Sequence, residues 1–127
     1  NLFIDYVDTE YCMRARRNGY RVLISTKINM VHPLGYYRNS KLHNLLRGTP
    51  LITNYAPLRH YYWTRNGTRL IYENFWHDFK WSINEAYYLF FRRIITIILF
   101  EENKIVKIRS IGLGFWHALS SNLGKKS

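Results

Sequence analysis

The sequence predicts a mainly α-helical chain with a short β element in its first third. Three observations lead there. From Pro57 onward, apolar residues recur at three- and four-residue spacing nearly to the end of the chain. Residues 5–17 begin with acids and end with arginines ahead of an Asn-Gly pair, the order that a helix macrodipole and a helix stop favour. Between these regions, "RVLIST" and "INMVH" carry the short apolar, β-branched runs of strands.

Taken in order, Asp5 to about Arg17 is expected to be a helix with Asp5 as N-cap and Val7, Tyr11 and Ala15 on one face. "NGY" ends it, with Gly19 in the left-handed C-cap position. Residues 21–26 read as a first strand, and residues 28–32 as a second strand or extended segment. Residues 33–57 have the turn residues of a long loop, with a helical turn around Leu42 to Leu46. Pro57 suits a first helical position, and the helix it opens would end at Gly67. A longer helix follows, broken near Asn74 or Lys80. Trp76, Phe79, Ile83, Tyr87, Phe90, Ile94 and Ile98 form its apolar stripe, with Glu85, Arg92 and Thr96 off it. From Glu101 the chain closes as an amphipathic helix with a basic tail.

Composition narrows the partners. The chain of 127 residues is 47% hydrophobic, enough for a core, and its aromatic fraction of 17% is high. A single cysteine, Cys12, excludes an internal disulfide framework and a cysteine-rich zinc site. The formal charge of +11 favours an anionic partner: phosphate groups, an anionic lipid surface or nucleic acid. No helix-turn-helix, zinc-finger or RNA-recognition signature is present, so nucleic acid is not expected. The best candidate for a membrane span, residues 86–100, contains Arg92 and Arg93 and falls short of the roughly 20 apolar residues needed. Basic, aromatic, amphipathic helices fit either a membrane surface or a core with a solvated basic face. On the first reading Arg92, Arg93, Lys104, Lys107 and Arg109 would form the anion-facing surface. The chain opens on Leu2, Phe3 and Ile4, already apolar, and this predicts a piece of a longer protein.

The acids are unevenly spent. Asp5, Asp8 and Glu10 place three of the eight carboxylates within "DYVDTE". Carboxylates at a helix start are stabilised as anions, and one held beside a substrate hydroxyl can serve as a general base. Taken alone, the cluster fits helix capping better than catalysis. His32 follows a short strand and precedes "PLG", a setting in which a turn presents its imidazole to a metal or to a loop hydrogen bond. His43, His60, His77 and His117 read as structural.

The stretch "FIDYVDTEYCMRARRNGYRVLIS…INMVHPLG" resembles the second half of the catalytic domain in inverting GT-A glycosyltransferases of family 2, especially their rhamnosyl- and galactofuranosyltransferase branch. "APLRHYYWTRN" is more weakly similar to the segment that follows that domain. The resemblance implies that residues 1–56 are the C-terminal portion of a GT-A α/β catalytic domain, and residues 57–127 a basic, aromatic helical region. It implies Asp8 as catalytic base, Glu10 as an acceptor-binding residue and His32 as a ligand of Mg or Mn holding a nucleotide diphosphate. Val7 stands where the commoner pattern has a further acid, and Asp5 is the nearest substitute on the acceptor side. The donor would be a nucleotide diphosphate sugar, rhamnose-like. The acceptor would be a glycan or lipid-linked molecule of cell-surface polysaccharide synthesis, met on the cytoplasmic face of the membrane. The family's Asp-x-Asp motif is missing from these residues, so the chain is expected not to turn over substrate alone. The competing expectation is a helical module that docks on membranes or proteins without catalysis.

Overall fold

A computed structural model describes residues 2, 4–27, 37–39, 45 and 51–120. The described chain is mainly helical. Its elements are α1 (Val7–Arg17), a strand pair β1 (Tyr37–Asn39) and β2 (Leu51–Thr53), α2 (Pro57–Asn74), α3 (Phe79–Ala86), a π-helical turn (Tyr87–Arg92), α4 (Arg93–Phe100) and α5 (Lys104–Leu119).

The end of α1 follows the expected chemistry. Gly19 takes φ +82°, the Gly19 N–H donates to the Arg16 carbonyl and the Tyr20 N–H to that of Ala15. This is the paired bond pattern of a Schellman stop, available because glycine has no Cβ to clash. Its start does not follow it. The helix begins two residues after Asp5, Tyr6 holds the N-cap position with φ 71°, and no side chain caps it. Asp5 is drawn away by Arg59 of α2, whose Nη2 lies 3.1 Å from Oδ1. The expected apolar face is also open to solvent: no residue of α1 is buried.

Residues 20–25 are irregular and exposed, with Leu23 and Ile24 largely in water, so the first expected strand does not form. A strand needs a ladder partner, and none of the described residues supplies one here. The second, at 28–32, lies outside the described residues, as does all but Leu45 of the helical turn expected at 42–46. The β pairing lies later: β1 and β2 run antiparallel with Arg38 opposite Ile52.

Pro57 opens α2 as expected, but the helix runs through Gly67 to Asn74. Gly67 is a contact point. A Cβ there would sit 2.9 Å from Leu89 Cδ2 and 3.0 Å from the Tyr6 ring. The break after Asn74 is real, and Asp78 starts the next helix by accepting from the Trp81 N–H at 3.1 Å.

The core lies between α2 and α5, the most extensively packed pair. They approach backbone to backbone at Gly114, where a Cβ would come within 2.5 Å of the Tyr61 carbonyl oxygen. Tyr61, Tyr62, Leu70, Leu89, Ile97, Ile111 and Ala118 are its buried apolar members. The π turn changes what faces outward. Each residue of a π-helix turns less than in an α-helix, so the pattern slips by about one position. Phe91 and Ile95 become exposed while Phe90 and Ile94 are half-buried, and Ile98 at the end of the expected stripe is exposed again, so the stripe is split beyond Tyr87.

Candidate active site

The acidic motif is built on a short, twisted entry to α1. Ile4 and Tyr6 both have positive φ, 62° and 71°, a region that a branched residue such as isoleucine rarely occupies. Contacts to α2 and α3 hold the conformation. Asp5 pairs with Arg59, its carbonyl accepts from Asn66 Nδ2 at 2.8 Å, and the Tyr6 ring lies on Gly67. The Tyr6 hydroxyl donates to Glu85 of α3. Burial, then the hydrogen bond to that carboxylate, pushes the Tyr6 phenol above its ordinary range. Asp5 is therefore a tether between the acidic motif and the helices: its Oδ1 pairs with Arg59, while its buried Oδ2 has no partner among the described residues.

Asp8 is different. It lies in the first turn of α1, is exposed, and makes no hydrogen bond or ion pair with any described residue. Glu10 is partnered by Arg14, 3.1 Å away along the same helix. Two residues apart on a helix means about 200° of rotation, so Asp8 and Glu10 do not face the same way. One turn beyond Asp8, Tyr11 and Cys12 border a groove of about 510 Å³ that continues to Tyr20 and Val22. His32 lies outside the described residues. Among the described residues no three His, Cys, Asp or Glu side chains converge to hold a cation. By themselves the described residues do not fit a metal site.

The cations expected on an anion-facing surface divide. Arg92, Lys104 and Arg109 are exposed. Lys107 and Arg93 turn inward, because a buried carboxylate draws them there. Glu101 is 3% exposed; its Oε2 accepts from Lys107 Nζ at 2.7 Å and lies 3.2 Å from His60 Nε2. Lys107 also donates to Asn54. Arg93 lies over the rings of Trp63 and Tyr55, 4.3 and 4.9 Å from their centroids, and its Nε reaches His60 Nδ1 at 3.3 Å. A guanidinium N–H can only donate, so Nδ1 accepts and His60 carries its proton on Nε2, donating it to Glu101.

Burial holds His60 below its ordinary pKa despite the carboxylate beside it, in keeping with this neutral form. For Glu101, burial pushes upward, but the hydrogen bonds from His60 and Lys107 outweigh it and carry the carboxyl below its usual range. The network is structural. Sequence reading took His60 as structural but missed Glu101, whose one signal is an acid directly after an apolar helix.

Comparison with known proteins gives one informative match. The chain is 40% identical over 73 residues to the dTDP-rhamnosyl transferase RfbF of Shigella flexneri, a region covering 58% of this chain and 23% of that protein. The chain thus matches about a quarter of its relative's length. No family model matches it, and no solved structure does.

Proposed function

We propose that this chain carries the acceptor-side catalytic base of a glycosyltransferase, and that Asp8 is that base. The observation that carries the reading is the state of Asp8: an exposed carboxylate with no described partner, on a helix whose entry is fixed by Asp5 and Tyr6. The similarity to a dTDP-rhamnosyl transferase supports the reaction class. In the reaction, Asp8 takes the proton of an acceptor hydroxyl as its oxygen attacks the anomeric carbon of a nucleotide diphosphate sugar. The bond from that carbon to the diphosphate oxygen breaks, and the nucleoside diphosphate leaves with the electron pair, inverting the centre. Donor-binding residues would come from outside this chain. His32 is this chain's proposed contribution to a divalent cation. Because Glu10 lies around the helix from Asp8, it would contact only an acceptor large enough to wrap the start of α1.

A chimera tests the reading: this chain replaces the region it matches in the Shigella transferase, and rhamnose transfer from dTDP-rhamnose to that enzyme's acceptor is measured. The chimera is expected to transfer sugar, and Asp8→Asn to lower the rate by about 100-fold or more, the range for loss of a general base. A chimera whose Asp8→Asn form transfers at the parental rate would remove Asp8 from the chemistry.

A further inference from the structure

We infer that the outward face of α3, the π turn and α4 docks on the interfacial layer of an anionic lipid bilayer. The face lies opposite Ser82, Leu89 and Ile97, which are buried against the other helices. Along it run Phe79, Ile83, Tyr87, Phe91, Ile95 and Leu99, each 47–66% exposed and each four residues from the next. Four-residue spacing drifts by about 40° a step in a regular α-helix, and the π turn takes back part of that drift, so the row winds slowly along the exposed side. The row is roughly 30 Å long. Tyr87 and Phe91 stack within it, and Trp76 extends it at the N-terminal end through its contact with Phe75, which in turn meets Phe79. A helix apolar on the side away from its own core has a second apolar surround.

Charge selects the occupant. Over residues 79–120 the exposed cations are Lys80, Arg92, Lys104 and Arg109. The acids of this stretch are withdrawn from the surface: Glu85 bonds Tyr6 and Glu101 is buried with Lys107, which leaves Glu102 as the exposed carboxylate. Lys80 and Arg92 stand next to Phe79 and Phe91 of the apolar row, in a stretch whose exposed cations outnumber its exposed acid. Such a row matches the acyl–headgroup boundary of an anionic membrane, where tyrosine and tryptophan are also favoured. A second copy of the chain would bring the same cations to the contact, and like charges oppose it. No described helix is long and apolar enough to cross a membrane, so the face lies on the bilayer. The inference stands independently of the transferase reading.

The test is sedimentation of the 127-residue chain with phosphatidylcholine vesicles, with and without phosphatidylglycerol. Binding is expected to be at least about tenfold tighter to the anionic vesicles and to weaken with salt. Phe91→Ser with Ile95→Ser should cost about tenfold or more, and Lys80→Gln and Arg92→Gln about fivefold each, with helix content unchanged. On the unmodified chain, brominated lipid should quench tryptophan fluorescence, and Trp76→Tyr should remove much of that quenching. Equal binding to both vesicle types, no binding, or unquenched tryptophan overturns the inference. Self-association abolished by the Phe91 and Ile95 substitutions, with vesicles left unbound, also overturns it and assigns the face to a second copy.

Discussion

No residue of α1 is buried, whereas α2 buries nearly everything from His60 to Leu70. The two helices are neighbours tied by Asp5, Tyr6 and Arg59, yet they differ sharply in burial. The α2–α5 region sinks charged groups into its interior and pairs them there, Glu101 with Lys107 and His60, although Glu101 Oε1 and Arg93 Nη2 stay 3.9 Å apart without a hydrogen bond. α1 leaves Asp8 exposed, with no partner among the described residues. The packed core and the proposed base thus lie on different helices, with the positive-φ turn at Ile4 to Tyr6 as the joint between them.

The comparison breaks most readily at the buried network. Lys107→Met leaves Glu101 charged and short of its strongest partner, and should cost about 3–5 kcal/mol in urea unfolding. A cost under about 1 kcal/mol would mean that the interior is wetter than its burial implies. Gly114→Ala forces α2 and α5 apart at Tyr61, and should cost about 1–3 kcal/mol by the same measurement.

Acid sharpens the contrast. The folded pKa of His60 is lowered, so the unfolded chain binds the extra proton first. The stability this group contributes is present above the unfolded value of about 6.5 and is lost as pH falls from there toward the folded value. Glu101, also lowered, adds a second loss below the usual carboxylate range of about 4.3. Urea midpoints measured between neutral and acid pH should therefore fall in two stages, the upper one disappearing in His60→Gln. A flat profile would contradict the neutral, buried imidazole. At the joint, Asp5→Asn loosens a partly exposed pair and should cost about 1 kcal/mol or less.

Local signals were legible in the sequence. Pro57 marked a helix start, Gly19 a stop, and Asn74 a break, because each acts through its own backbone geometry. Features decided by distant partners were not. Gly67 looked like an end because nothing local shows that Tyr6 and Leu89 need its missing Cβ. Asp5 looked like a cap because Arg59 lies far along the chain. The stripe was found but aimed wrongly past Tyr87, since the packing of Leu89 and Arg93 against α2, which accompanies the π turn, is not written in periodicity. Lys107 and Arg93 read as surface cations because nothing local shows the buried Glu101 that draws them inward. At the candidate site, the motif points to Asp8, and nothing in it says that no described residue pairs with that carboxylate.

The most direct measurement is Asp8→Asn followed for activity and stability together, in the chimera with the Shigella transferase. Transfer should fall by about 100-fold or more while unfolding free energy changes by less than about 1 kcal/mol. Full activity in the variant, or a loss of activity that only tracks unfolding, would contradict the division between a chemical α1 and a structural α2–α5 pair.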